Sequence, residues 1–253
     1  MLDLRQYAAL SFDVYGTLID WEAGIAAVLG TWAQRHGADL SDEALLLAYA
    51  DNEAAVEREC PQLVYPEVLQ AAFRRTAKDL QLPVSDADVQ SLGRSVPDWP
   101  VFADTVEALG RLKQHYQLII LSNVHEEGVT GSIKHMHIAF DQVLTAQAIG
   151  SYKPNARNFQ VLLQRVADAG HTPTQLLHVA QSLFHDHVPA KAMGLDTVWI
   201  NRRHNKPGLG CHSQSEYRGT ARFGIYQLGR VCRCGGHGFY HDLNSNQAQT
   251  SGL

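Results

Sequence analysis

Short apolar runs, separated by longer amphipathic segments, set the main limit on how this chain can fold. Strands are predicted at residues 8–14, 117–123, 140–146, 176–181 and 196–201. Leu118-Ile119-Ile120-Leu121 shows no polar alternation, which is typical of a strand covered on both faces. Helical periodicity between the strands covers residues 102–115, 158–169 and 188–194. This alternation predicts an α/β fold with right-handed crossovers and a doubly wound parallel sheet.

Residues 21–97 interrupt this alternation. Helical periodicity covers 23–35, 41–58, 65–80 and 86–96, with little strand signal. Because the block directly follows the first strand, we predict an inserted helical cap domain over the C-terminal edge of the sheet, where it would exclude water. The α/β core domain would then comprise residues 1–20 and 98–208. In the alternative arrangement, these helices pack on one face of the sheet.

The segment 209–253 has an atypical composition. It is rich in Ser, Gly, His, Arg and Asn and shows no convincing helix, which is typical of a disordered tail. A shift of one nucleotide near residues 227–237 can encode an amphipathic helix, so an out-of-frame origin is a second hypothesis. Zinc ligand types also occur here, at Cys211, His212, Cys232, Cys234, His237 and His241. The Cys-x-Cys spacing is tighter than in structural zinc fingers, and we predict no metal and no cofactor.

Composition limits the possible partners and the compartment. The net charge of −5 over 253 residues does not favour nucleic-acid binding. No stretch reaches the roughly 20 apolar residues that span a bilayer. The N-terminus lacks the basic start and apolar core of a signal peptide. Four cysteines do not make a disulfide framework in a chain of this size. We therefore predict a cytoplasmic protein without nucleic-acid or membrane partners.

Asp13 is the first candidate for chemistry. It ends the apolar run of the first predicted strand, and turn-prone Gly16 follows it closely. A carboxylate at the mouth of a parallel sheet lies where α/β proteins bind ligands, and it can attack an electrophile to form an ester. Taken alone, an Asp in this position more often caps a loop.

Polar residues also follow other predicted strands. They are Thr17 beside Asp13, Ser122 with Asn123, Lys153, and Asp186. The Lys153 ammonium would keep the pKa of Asp13 low, and Ser122 and Asn123 can hold an anionic group. Asp186 could position Lys153 or take a proton from water. Each residue alone has a structural explanation, but together they predict one catalytic site.

In this order and spacing, the residues resemble the four motifs of the haloacid dehalogenase superfamily over about residues 5–206. Phosphatases of that superfamily carry a second Asp two positions after the nucleophile and a further carboxylate for Mg²⁺, where this chain has Tyr15 and Gln181. Asp-x-Tyr-Gly-Thr-Leu instead resembles the metal-independent type II (S)-2-haloacid dehalogenases. The resemblance implies that Asp13 displaces halide from a short 2-haloalkanoic acid, and that water then releases a 2-hydroxy acid of inverted configuration.

By the same resemblance, Asp13, Lys153 and Asp186 are catalytic. The substrate-binding residues would be Tyr15, Thr17, Ser122, Asn123, Gln181, Ser182 and His185. We expect His185 rather than His187 to line the pocket, and a homodimer is possible because relatives are often dimers.

Three departures from the family pattern concern the halide. Residues 47–52 lack the Arg that holds the leaving halide in well-studied members, Leu183 replaces an Asn, and Phe159 replaces a Tyr. Two alternatives therefore stay open: a Mg²⁺-dependent phosphatase of the same superfamily, and a non-catalytic binding protein on this scaffold.

Overall fold

A parallel sheet forms the centre of the protein. The computed structural model describes residues 3–203, 224–225 and 228. Its strands are β1 (Ala9–Phe12), β2 (Gln117–Ser122), β3 (Gln142–Thr145), β4 (Leu176–Ala180), β5 (Asp196–Ile200) and β6 (Gly224–Ile225). Their order is β3-β2-β1-β4-β5-β6, and every neighbouring pair is parallel. The predicted doubly wound α/β fold is confirmed, and β1 lies inside the sheet between β2 and β4.

Helices connect the strands. They are α1 (Trp21–Arg35), α2 (Asp42–Glu59), α3 (Tyr65–Asp79), α4 (Asp86–Ser95), α5 (Thr105–Leu112), α6 (Glu126–Met136), α7 (Ala146–Ile149), α8 (Ala156–Asp168) and α9 (Val188–Ala192). Leu183–His187 forms a π-helical turn that leads directly into α9. Helix α6 was not predicted, because Gly128 and Gly131 lower its helix propensity. Both glycines allow close packing, since a Cβ on Gly131 would overlap Pro97. In the part of the chain that is described, no helix is long and apolar enough to cross a membrane.

Helices α1 to α4 occupy the region predicted as a cap. Their starting points follow from side-chain caps: Asp20 accepts a hydrogen bond from the Ala23 N–H at 3.1 Å, and Ser41 accepts one from Ala44 at 3.3 Å. Ser85 and Asp88 form a capping box at the start of α4. These helices lie between β1 and β2, as periodicity predicts, and their role as a separate domain stays a prediction.

Two apolar clusters cover the two faces of the sheet. Leu10 and Phe12 of β1 belong to a large cluster that continues into α1 to α4. Ala9 of β1, one position away, belongs to a smaller cluster with Phe159 and Leu162 of α8. Successive strand residues point to opposite faces, so burial on both sides requires the continuous apolar runs seen in the sequence.

The C-terminal segment lies mostly outside the described residues. This holds for the zinc-type side chains Cys211, His212, Cys232, Cys234, His237 and His241, so the zinc alternative and the frame hypothesis stay untested. Gly224–Ile225 pairs with β5, and the Leu228 N–H donates to Asp104 at 2.6 Å. The sequence did not lead us to expect this edge strand.

Gly24 lets α1 lie close to the Trp99 indole, and we expect Gly24→Ala to destabilise the fold. A Cβ at position 24 would overlap the ring of Trp99, which is 2% exposed and cannot move easily. We expect a loss of about 1–3 kcal/mol in the free energy of unfolding, measured by urea denaturation. Gly110→Ala in α5 is the matched control, because its Cβ meets no atom within 4 Å. That variant should gain roughly 0.5–1 kcal/mol, and equal effects of the two substitutions would contradict the packing argument.

Candidate active site

Asp13 lies at the C-terminal edge of the sheet, immediately after β1. The strand holds it in place, because its backbone N–H donates to the Val179 carbonyl at 3.1 Å. The Thr17 hydroxyl donates to Asp13 Oδ2 at 2.7 Å, and Lys153 Nζ donates to Oδ1 at 2.9 Å. These two hydrogen bonds fix the orientation of the carboxylate. Asp13 is also buried, with 7% of its surface exposed.

Lys153 joins the two candidate catalytic carboxylates. Besides Asp13, its ammonium donates to Asp186 Oδ1 at 2.7 Å and to the Leu121 carbonyl at 3.0 Å. Asn123 fixes the backbone of Lys153, since its Oδ1 accepts from the Lys153 N–H at 2.6 Å and its Nδ2 donates to the carbonyl at 3.1 Å. The three acceptors satisfy the three N–H bonds of the buried ammonium.

Asp186 is held from the opposite side by His178 of β4. His178 Nε2 lies 3.0 Å from Asp186 Oδ1, and its Nδ1 lies 2.8 Å from the Ser11 hydroxyl. Because the carboxylate is an acceptor, Nε2 carries the hydrogen and Nδ1 accepts from Ser11. Asp186 Oδ2 has no hydrogen-bond partner among the described residues. His178 was missed by sequence reasoning, because a single His in an apolar strand is usually a satisfied core residue.

Burial and charge act against each other in this cluster. We expected Lys153 to keep the pKa of Asp13 low, and this is wrong: burial raises the pKa of Asp13, and the ammonium offsets only part of the effect. Burial also opposes the charge on Asp186, but Lys153 and His178 hold its pKa well below the ordinary value. The pKa of Lys153 is raised by the two carboxylates in spite of its burial. Asp13 therefore depends on Lys153 for its ionised form.

A cavity of about 90 Å³ adjoins Asp13. A cavity of this volume suits a small molecule. The cavity is lined by the predicted residues Asp13, Tyr15, Ser122, Asn123, Lys153, Gln181, Ser182, His185 and Asp186. The structure therefore brings together, around one space, all but one of the predicted site residues.

Thr17 is the exception. It is fully buried and does not line the cavity. Its hydroxyl donates to Asp13 and accepts from the Gln181 N–H at 2.9 Å, so it orients the carboxylate without lining the cavity. The prediction that Thr17 binds substrate is therefore not supported by its position.

Tyr15, His185 and His187 make different contacts near Asp13. The Tyr15 hydroxyl lies 2.9 Å from Ser132 Oγ, and burial raises its pKa, so it has no proton to give at neutral pH. His185 lines the cavity, as expected. His187 is buried, with its ring nitrogens 3.0 Å from Thr197 Oγ1 and 3.0 Å from the Ala180 carbonyl. Burial lowers the pKa of His187 to about 4, as for a neutral structural residue.

Helices α2 and α3 add residues that sequence reasoning missed. Two glutamates one turn apart on α2, Glu53 and Glu57, line the cavity together with Tyr65 of α3. The Tyr65 hydroxyl donates to Glu53 Oε1 at 2.8 Å, and Glu57 Oε2 lies 4.0 Å from His185 Nε2. Burial raises the pKa of Glu53 to about 7 and that of Glu57 to about 8, with Glu53 adding repulsion to the latter. Acidic residues on a helix usually face solvent, so only the fold reveals their position.

We expect these two glutamates to make the protein less stable as the pH rises. In the folded state each carboxyl group keeps its proton up to about pH 7–8, whereas in the unfolded chain it loses the proton near pH 4.5. The stabilisation from the bound protons is complete below pH 4.5 and is lost as the pH rises through the folded pKa. Urea denaturation between pH 6 and 8.5 should show a falling free energy of unfolding.

The double variant Glu53→Gln with Glu57→Gln should remove most of this pH dependence. Asp51→Asn, an exposed position on the same helix, is the control and should retain it. An identical pH profile in the wild type and the double variant would contradict the assignment.

The donor set does not fit a Mg²⁺ site of the phosphatase type. Such sites rely on several acidic or carbonyl oxygens, yet residue 15 is Tyr and residue 181 is Gln. Asp186 Oδ1 is already engaged by Lys153 and His178. Within residues 3–203, 224–225 and 228, no group of three or more His, Cys, Asp or Glu side chains is placed to hold a metal ion.

The fold and site define an α/β protein with a buried carboxylate at the edge of its parallel sheet, and sequence comparison gives the family. The haloacid dehalogenase-like hydrolase family matches residues 7–180. Because the match covers more than half of the sequence, the chain belongs to the family of haloacid dehalogenase-like hydrolases.

Three relatives extend the comparison. An (S)-2-haloacid dehalogenase from Pseudomonas putida is 26% identical over 216 residues, which cover 79% of this chain and 87% of the relative. Another, from Pseudomonas fluorescens, is 29% identical over 199 residues, covering 76% and 83%. The structure of an L-2-haloacid dehalogenase from Xanthobacter autotrophicus, with chloropropionic acid covalently bound, superposes with a TM-score of 0.72 at 18% identity and covers 90% of this chain and 97% of that one. This last likeness concerns the fold.

Proposed function

We propose that this protein is a 2-haloacid dehalogenase that hydrolyses the carbon–halogen bond of short 2-haloalkanoic acids to 2-hydroxy acids. The observation that carries the proposal is the Asp13 carboxylate, held through both oxygens at the wall of a cavity of about 90 Å³. Tyr15 occupies the position of the general acid in the phosphatases, and its hydroxyl lies 2.9 Å from Ser132 Oγ. The two Pseudomonas relatives, both (S)-2-haloacid dehalogenases, support the same activity.

In the first step, Asp13 attacks the 2-carbon of the substrate. A carboxylate oxygen forms the new C–O bond while the carbon–halogen bond breaks, and the halide leaves with the bonding electrons. Lys153 and Thr17 orient the carboxylate for this attack. Attack from the side opposite the halide inverts the configuration at the 2-carbon.

In the second step, water attacks the carbonyl carbon of the Asp13 ester. The acyl–oxygen bond breaks, the 2-hydroxy acid leaves, and Asp13 regains its carboxylate with net release of one proton. Asp186 Oδ2 has no hydrogen-bond partner among the described residues, so we assign it as the acceptor for the hydrolytic water. Its Oδ1 keeps Lys153 in position.

Substrate recognition uses the rest of the cavity wall. We assign the substrate carboxylate to the polar groups at Ser122 and Asn123, and further contacts to Tyr15, Gln181, Ser182 and His185. Helices α2 and α3 would act as a cap that excludes water during the first step. The cytoplasmic location and the homodimer stay part of the proposal.

Chloride and phosphate release distinguish this proposal from a phosphatase. We expect the protein to release chloride from 2-chloropropionate, and EDTA should not change the rate. Inorganic phosphate from p-nitrophenyl phosphate should stay at background with or without Mg²⁺. Mg²⁺-dependent phosphate release without chloride release would contradict the proposal.

A trapped intermediate provides a second test. Asp186→Asn should slow the second step more than the first, because an amide cannot accept the proton from water. Intact-mass analysis after addition of 2-chloropropionate should show one added carboxyethyl group, mapped to the peptide that contains Asp13. An adduct on another residue would reject Asp13 as the nucleophile.

A further inference from the structure

Two glutamates line the same cavity as the nucleophile, and the proposed reaction gives them no role. Glu53 and Glu57 lie on the same side of α2 and line the space that Asp13 lines. Glu53 is 9% exposed, so it is not a surface charge that happens to lie nearby. Burying a carboxyl group costs free energy unless hydrogen-bond donors satisfy it. The position of these two glutamates therefore requires an explanation.

The protein itself supplies few donors to these groups. Tyr65 satisfies one oxygen of Glu53. Glu57 accepts no hydrogen bond from a described residue, and His185 Nε2 remains 4.0 Å away. Lys153 is the only Lys or Arg among the described residues that lines the cavity, and its ammonium is already bound by Asp13, Asp186 and Leu121. A molecule in the cavity is therefore the remaining source of donors for Glu57.

Glu53 and Glu57 make few favourable contacts with an unsubstituted haloalkanoate. The alkyl chain of such a substrate offers no hydrogen-bond donor to the oxygens of Glu53 or Glu57. A hydroxyl or ammonium on the side chain of the substrate would instead meet two acceptors. Ser122 and Asn123, which follow β2 and also line the cavity, are the groups assigned to the substrate carboxylate.

We propose that Glu53 and Glu57 determine specificity, and select a short 2-haloacid whose side chain carries a hydrogen-bond donor, a hydroxyl or an ammonium. This inference rests on the proposed dehalogenase function and narrows its substrate class. The small volume of the cavity favours a short side chain. Rejection of the analogue without the donor follows, because its alkyl group would leave Glu57 unsatisfied.

A matched substrate pair tests the inference. 2-Chloro-3-hydroxypropanoate and 2-chlorobutanoate differ by a hydroxyl in place of a methyl group. We expect kcat/KM for chloride release to be about 2- to 10-fold higher for the hydroxylated acid, as for a hydrogen bond between neutral groups. In Glu57→Leu this ratio should fall to about one or below, whereas Glu57→Gln should keep part of the preference because its amide oxygen still accepts.

Asp51→Asn is the control on the exposed face of α2 and should retain the wild-type ratio. A wild-type ratio at or below one would overturn the inference. So would an unchanged ratio in Glu57→Leu with a wild-type thermal unfolding curve. If Glu57→Leu does not fold, the ratio in Glu57→Gln decides in the same way. In either case, chloride release from both acids would leave the proposed function intact.

Product binding separates this inference from the reaction itself. Glycerate and 2-hydroxybutanoate, the products of the two acids, differ by the same hydroxyl and require no turnover. Calorimetry should show tighter binding of glycerate to the wild type, with the difference lost in Glu57→Leu. If neither chloro acid is dehalogenated, the proposed function fails, and equal binding of the two products would overturn the specificity inference as well.

Discussion

Asp13→Asn is expected to abolish dehalogenation, with kcat lower by about four orders of magnitude or more, the range found when a nucleophile is removed. The amide is neutral and a poor nucleophile, although it has nearly the same shape and can keep the hydrogen bond from Thr17. Substrate binding should therefore change much less than kcat. Chloride release under single-turnover conditions is the measurement.

Two controls make the Asp13→Asn result interpretable. Asp51→Asn, on the exposed face of α2, should keep wild-type activity. Intact-mass analysis must show that the new amide has not reverted to a carboxylate during preparation. Activity above about one hundredth of the wild type in protein free of reversion would reject Asp13 as the nucleophile.

Lys153→Met is expected to damage both activity and stability. The substitution leaves Asp13 and Asp186 buried close together without the ammonium that now lies 2.9 Å and 2.7 Å from their oxygens. Breaking a buried ion pair in this way costs about 3–5 kcal/mol. We expect kcat to fall by about three orders of magnitude or more, because Asp13 loses the charge that favours its ionised form.

The stability loss in Lys153→Met should depend on pH in a defined direction. Without the ammonium the pKa of Asp13 rises further, so protonation at low pH relieves the repulsion between the carboxylates. The variant should therefore be closer to the wild type at pH 5 than at pH 8 in urea denaturation. Lys113→Met is the control, because Lys113 pairs with Asp141 at 2.6 Å on the surface and should cost only about 1 kcal/mol or less. Equal losses in the two variants would contradict the coupling of Lys153 to the buried carboxylates.

The sequence predicted the parts of the fold that depend on continuous apolar runs. Strand β2 is covered on both faces, so each position from Leu118 to Leu121 is apolar and buried. Such a continuous apolar run can be recognised in the sequence alone. Helix α6 was missed because its glycines serve tertiary packing, as Gly131 does against Pro97. Local propensity does not contain that information.

The sequence predicted the site residues that follow strands, but it missed those that helices α2 and α3 contribute to the cavity. Asp13, Ser122 and Asp186 could be grouped because parallel strands end at one edge of a sheet. Glu53 and Glu57 could not be grouped with them, since the position of α2 over that edge is a tertiary property. The direction of the pKa shift of Asp13 also required the fold, because burial outweighs the attraction of Lys153.

The origin of the oxygen in the product tests the central claim most directly. With enzyme in excess over 2-chloropropionate in water enriched in oxygen-18, the first product hydroxyl should come from the Asp13 carboxylate and carry no label. The label should appear in the peptide that contains Asp13. A labelled hydroxyl in the first product, with an unlabelled Asp13 peptide, would show that water attacks the 2-carbon directly and would contradict nucleophilic catalysis by Asp13.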